Sequence, residues 1–411
     1  MTMNDRQYRW VVVLYSLVIQ AVSIGILIYC FALFALPWLD AFDASRRDVM
    51  ITISCLQIGA GVFSPLLGRF MDQYPMRWIV IAGAIVLSLG LYLTQLATAL
   101  WQIWIIYATL MPVAIGLTGT LASQTLVTKW FTEERGLALG ISAMGTSIGG
   151  IVFPWVVAGM LTDIGWREAF VYLSITCIGI IVPLTLLVLR RNPQAAQPEL
   201  SNEPTSNSVE SKFDTMNKRQ WSNREILTAS LFWLPFLAMC PLLMSFGALQ
   251  ANLGVLARDM GLADSEAASL IMISSFCMII GKLFFGTLGD RWDHRFLFWT
   301  ASLVMLASLV SLLTTSTYAG LVVCVICLGL AGGGIIPLLG LIFGARFGAA
   351  SFGRVMGFVM LTGMFGAVAP VIAGSIYDMT QSYDWALWGL ILMTGPAMLA
   401  MYWLPRAHRS E

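Results

Sequence analysis

Gly68-Arg69-Phe70-Met71-Asp72-Gln73-Tyr74-Pro75-Met76-Arg77 lies between two long apolar runs, and its pattern of Gly, three residues, Asp, four residues, Arg returns once. The second copy is Gly286-Thr287-Leu288-Gly289-Asp290, with Arg295 five residues beyond the Asp. The two copies stand 218 residues apart at both the Asp and the Arg. Gly145 and Gly363 repeat at the same offset, and Pro154, Gly159 and Asp163 are echoed by Pro370, Gly374 and Asp378 with the offset shortened by two or three residues. A chain that repeats itself at half its length points to two parallel repeats.

Working outward, the repeat sits among runs long enough to cross a bilayer, which takes about 20 predominantly apolar residues. Twelve are expected, near 10–38, 48–70, 78–98, 101–128, 135–161, 168–190, 226–256, 266–289, 295–314, 318–345, 352–377 and 384–404. The stretch 191–224 holds Pro193, Pro198 and Pro204 among Ser, Asn and mixed charges, a linker composition. The expected organisation is an all-α polytopic membrane protein: a six-helix bundle over 1–190, a cytoplasmic linker over 191–224 and a second six-helix bundle over 225–411. The first apolar run is too long for a signal-peptide core and reads as a retained helix.

Composition agrees. The chain is 58% hydrophobic and 11% charged, where a soluble domain carries about 25% charged residues. A net charge of +1 gives no basis for nucleic-acid binding. With both termini placed in the cytoplasm, 18 Lys and Arg fall on the inner side and four on the outer, the bias expected of that orientation. All seven cysteines lie in apolar segments and both histidines, His294 and His408, lie outside them, so neither a metal site nor a cofactor is expected. No nucleophile–base set suggests an enzyme.

On the repeated loop motif and the six-plus-six arrangement, the chain resembles the major facilitator superfamily of transporters over nearly its whole length. The resemblance implies that Asp72, Arg77, Asp290 and Arg295 form a charge clasp holding the inner gate closed, an ion pair that breaks when the cavity opens inward.

Lys282 is the only Lys, Arg, Asp or Glu expected inside a span rather than near its end. A charge there costs roughly 2.5–3.5 kcal/mol on insertion scales and marks a functional site by default. It lies about seven residues from the inner end of the eighth helix, so it could instead snorkel to that surface. Lys282, Gly286 and Asp290 are similar to the frame of monocarboxylate transporters and oxalate–formate antiporters: a basic residue, three residues, Gly, three residues, then Asp or Asn. Arg135-Gly136-Leu137-Ala138-Leu139-Gly140 resembles a second stretch of those carriers. The resemblance implies that the helix-eight cation holds the substrate carboxylate.

There are departures. Met278 stands where proton-coupled members carry Asp, and no Lys occurs between Arg9 and Leu39. With no carboxylate deep in a span, proton coupling would need a rim acid such as Asp259, Lys282 itself, or the substrate. Tyr29, Gln124, Ser147, Asn252 and Ser275 complete the candidate binding set, with Ser275 on the Lys282 face of its helix. The expected activity is transport of small organic anions, chiefly monocarboxylates, by alternating access, with a proton as the candidate coupling ion. The chain is expected in a prokaryotic inner membrane. The rival expectations are an exporter of drugs or neutral metabolites on the same fold, and a non-transporting receptor.

Overall fold

A computed structural model describes residues 5–131, 134–190, 220–259, 264–314, 317–380 and 382–405. Every regular element among them is helical. Twelve helical stretches are long and apolar enough to cross a membrane, six before residue 190 and six after residue 220. The helices are α1 (Asp5–Ile24), α2 (Phe31–Phe42), α3 (Arg46–Gln73), α4 (Met76–Gln95), α5 (Leu100–Thr118), α6 (Thr120–Trp130), α7 (Arg135–Asp163) and α8 (Gly165–Val188). There follow α9 (Asn223–Thr228), α10 (Ser230–Asp259), α11 (Asp264–Gly289), α12 (His294–Thr314), α13 (Tyr318–Phe347), α14 (Phe352–Val359), α15 (Thr362–Thr380) and α16 (Asp384–Tyr402).

Three spans expected to be continuous are broken. The first passes from α1 through a π-helical turn, Gly25–Tyr29, into α2. The fourth breaks at Gly119 between α5 and α6, and the eleventh between α14 and α15. Hydropathy cannot register these breaks, because the residues around them remain apolar.

Lipid offers no hydrophobic drive between helices, so close packing by small residues holds them. Gly145 and Gly149 of α7 press on the Leu17 and Ala21 carbonyls of α1, leaving no room for a Cβ. Helices before and after residues 191–219 meet mainly through α3 against α14 and α15, and α7 against α11. These contacts gather toward the end of the bundle that holds Asp72 and Asp290. Trp221, entering α9, is tied to the same end: its N–H donates to Ser351 Oγ at 2.8 Å, and Arg354 donates to its carbonyl.

Candidate functional site

The α7 and α14 helices start at the Asp72/Asp290 end without help from their own caps. Glu134 and Ser351 stand at the N-cap positions, and neither side chain caps its helix. The first N–H groups of a helix need outside acceptors. Asp72 supplies them for α14, accepting from the N–H groups of Gly353 at 2.9 Å and Arg354 at 2.7 Å. Asp290 does the same for α7, accepting from Gly136 at 2.6 Å and Leu137 at 2.9 Å. These are the second and third helical positions, the ones an N-cap side chain normally serves. Each carboxylate therefore caps a helix from the opposite half of the chain, at the positive end of its dipole.

This corrects the expected clasp. Asp72 and Asp290 do bridge the halves, but their recorded hydrogen bonds are to backbone amides rather than to Arg77 or Arg295. Arg295 instead pairs with Asp293 at 3.0 Å, and Arg77 lies over the Trp78 ring at 5.5 Å. Burial works against the Asp293 carboxylate, but the Arg295 guanidinium outweighs it and holds it below the usual carboxylate range. Lys129 closes the Asp72 corner by donating to Met71 O at 2.5 Å. Arg135, buried, donates to Phe131 O at 3.0 Å beside Asp290.

The interlock needs bare backbones. A Cβ on Gly68 would collide with the Gly353 carbonyl, and one on Gly136 with that of Gly286. One turn deeper, a Cβ on Gly140 would lie 2.5 Å from Lys282 O.

Lys282 does not snorkel. Side chains on a helix tilt toward its N-terminus, and α11 runs toward the Asp290 end, so the lysine stem is directed the other way. Its backbone touches Gly140, but Nζ reaches Thr146 Oγ1 and Ser147 Oγ, each at 2.6 Å, almost two turns farther along α7. The residue is 0% exposed. Among the described residues no carboxylate pairs with it; its recorded acceptors are these two hydroxyls. The contact joins α11 to α7 across the two halves.

The other expected site residues divide. Ser147 is on Lys282. Gln124 is 2% exposed and donates to Ile336 O of α13 at 3.0 Å, a second cross-half tie; its Oε1 is buried without a partner. Tyr29 is 36% exposed, with its ring over Gly150, one turn from Ser147. Ser275 Oγ donates to Ile271 O of its own helix at 2.9 Å, and the neighbouring Ser274 faces Gln250, at 3.2 Å. The side chains of Asn252 and Asp259 lie outside the described residues. Thr146 went unnoticed in the sequence, where a threonine in an apolar helix carries no signal. Gln20 Nε2 donates to Ser142 O at 2.9 Å and Ser142 Oγ at 2.8 Å. Among the described residues no group of three His, Cys, Asp or Glu is placed to hold a metal ion.

The described residues form a doubled helical bundle whose halves cap each other's helices, with a buried cation between them. The sequence profile of the Major Facilitator Superfamily matches residues 10–251 and 235–411. The chain belongs to this superfamily. Monocarboxylate transporter 13 of Rattus norvegicus is 23% identical over 96% of this chain and 89% of its own. The agnestins efflux protein AgnL12 of Paecilomyces divaricatus is 27% identical over 90% of this chain and 80% of its own. The solved structure of the proton:xylose symporter XylE, bound to 6-bromo-6-deoxy-D-glucose, superposes with a TM-score of 0.76 at 13% identity, covering 98% of this chain and 97% of that one. At that identity the likeness speaks for the fold. The resemblance to the superfamily and the twelve-span fold read in the sequence both hold, and relatives named as monocarboxylate transporters are among the matches.

Proposed function

We propose that this superfamily transporter carries small organic anions, monocarboxylates first, and that Lys282 pairs with the substrate carboxylate. One observation carries the reading: a fully buried ammonium whose recorded acceptors are two neutral hydroxyls. An ammonium has three donors and a full charge. Two hydroxyls match two donors and leave the charge to be balanced, which a carboxylate does. Tyr29 beside this position suits an apolar tail on the anion.

In this proposal residues 1–190 and 225–411 are the two bundles, joined by 191–224, and the Asp72/Asp290 end faces the cytoplasm of a prokaryotic cell. The conformation described is then closed inward. Alternating access requires the two trans caps to break while the halves rock. Any co-transported proton rides on Lys282, on the substrate or on a rim acid such as Asp259, because the Asp and Glu residues lie at span ends and in loops.

The test is thermal stabilisation of the purified protein by acetate, propionate, pyruvate and benzoate, with Lys282→Ala and Lys282→Arg beside wild type. Stabilisation of wild type and Lys282→Arg, lost in Lys282→Ala, supports the proposal. Equal stabilisation of all three removes Lys282 from the site. The likeness to AgnL12, a named efflux protein, favours a second reading as an exporter of neutral metabolites, and silence of the whole anion panel would put that reading first.

A further inference from the structure

Thr146 and Ser147 both touch the Lys282 ammonium, but they are not equivalent. Thr146 Oγ1 also donates to Ala143 O at 3.0 Å in its own helix. Its one hydrogen is therefore committed, and what it turns toward Nζ is a lone pair. Such an oxygen can accept from an ammonium, yet it has no hydrogen to offer an anion. The recorded hydrogen bond of Ser147 Oγ is the one from Lys282. A serine hydroxyl rotates freely, and its hydrogen is available to a carboxylate placed beside the ammonium.

The surroundings limit the substitutes. Ser142, one turn toward the Asp290 end, is taken up by Gln20. On that same side Gly136, Gly140 and Gly286 bring α7 and α11 into backbone contact, so the site is closed there. On the far side Ile151, Val152 and Trp155 of α7 and Met272 and Phe276 of α11 are exposed. On that side Tyr29 lies over Gly150, one turn from Ser147.

We propose that Thr146 is a stand-in acceptor: it holds the Lys282 ammonium until a substrate carboxylate takes its place, whereas Ser147 stays and donates to the bound anion. The proposal rests on the carboxylate reading above. It assigns the ammonium a second task. While bonded to Thr146, Lys282 ties α11 to α7; once the carboxylate displaces Thr146, half of that tie is gone. Recognition of the anion and loosening of the halves become one event.

The two hydroxyls then make opposite predictions. Removing the Thr146 hydroxyl takes away a competitor, so the anion binds more tightly. Removing the Ser147 hydroxyl takes away a ligand, so the anion binds more weakly. A hydrogen bond to a charged group is worth enough for an effect of about tenfold either way.

The experiment measures the dissociation constant for the best of acetate, propionate, pyruvate and benzoate on the full chain. Wild type, Lys282→Ala, Thr146→Val, Thr146→Ser and Ser147→Ala are compared, each with its ligand-free melting curve. The expected result is tighter binding in Thr146→Val, wild-type binding in Thr146→Ser and weaker binding in Ser147→Ala. Weaker or unchanged binding in Thr146→Val, while wild type binds and Lys282→Ala does not, overturns the stand-in role and leaves the carboxylate reading intact. If Thr146→Val loses its melting transition, Thr146→Ala replaces it under the same criterion. Failure of wild type to bind any of the four anions overturns both.

Discussion

Asp72 Oδ2 accepts the backbone N–H of Arg354 at 2.7 Å, joining residues 282 positions apart. Asp290 makes the matching contact with Leu137 at 2.9 Å. The carboxylates are 218 residues apart and the amides 217, so the duplicated halves exchange the same bond. A helix that lacks a cap of its own is thereby made dependent on the other half of the molecule. When the halves separate at this end, both helices lose their acceptors together. In the proposed cycle the closed arrangement is then one of two discrete states rather than a point on a continuum.

The first prediction concerns these caps. Replacing an N-cap acceptor by Ala costs about 1 kcal/mol. Asp72→Ala and Asp290→Ala should each shift the population away from the closed arrangement about fivefold. Asn, which keeps one acceptor oxygen, should shift it less. The reporter is Ser64→Cys in a background freed of native cysteines. Ser64 is 3% exposed, and its hydroxyl bonds Gly357 O at 2.7 Å between α3 and α14. Labelling by a hydrophilic maleimide should rise in both Ala variants; an unchanged rate would remove the caps from gating.

A second prediction follows from the bare glycines. Gly136→Ala places a methyl against the Gly286 carbonyl, a neighbour that cannot rotate away. Overpacking of this kind costs about 1–3 kcal/mol. Only the closed arrangement brings these backbones together, so the variant should fold, label faster at Ser64→Cys and transport poorly. Gly159→Ala lies in the same helix with nothing within 4 Å of the added Cβ, and should be silent. Equal damage from both would mean that the close approach to Gly286 is not what limits the Gly136 variant, since Ala is the better helix former at either position.

The spans were legible because a bilayer demands long apolar runs and the chain has little else. The importance of Asp72 and Asp290 was legible through their repetition. Their partners were not, since every non-proline residue carries an N–H and the bonded one leaves no mark in the sequence. Pairing by charge to Arg77 and Arg295 was the reading available. The direction of Lys282 could have been read: side-chain tilt along α11 opposes snorkelling toward the Asp290 end. Thr146 could not, because only the packing of α7 on α11 brings it to Nζ. The turn at Gly25–Tyr29 was hidden for a different reason, its residues being as apolar as the helix they interrupt.

Gln124 supplies the third prediction. Its amide N–H ties α6 to the Ile336 carbonyl, while its own Oε1 is buried and unpaired. Gln124→Leu removes a hydrogen bond and an unsatisfied acceptor together, which is nearly neutral for folding. The melting temperature should stay close to wild type. If Oε1 serves the substrate, the dissociation constant for the anion should rise about tenfold. A large drop in melting temperature with unchanged binding would make Gln124 a structural tie alone.

The fourth prediction concerns acid, and its sign is opposite to the intuitive one. Loss of charge on Asp290 invites the expectation that acid opens the interlock. Burial, however, is the largest influence on this carboxyl and raises its pKa; Glu134 pushes the same way, while the Gly136 and Leu137 amides and Arg135 pull back without prevailing. When the halves part, Asp290 meets water and returns toward the ordinary value of about 3.9. The closed arrangement is then the one that binds the proton more readily, and lowering the pH favours it. That advantage is full below the ordinary value and is lost as pH rises through the raised one. Labelling of Ser64→Cys should therefore slow as pH falls from neutral toward 4, and the part due to Asp290 should vanish in Asp290→Asn, which cannot titrate. A faster rate in acid, abolished by the same substitution, would mean that the charged cap outweighs the cost of burying it.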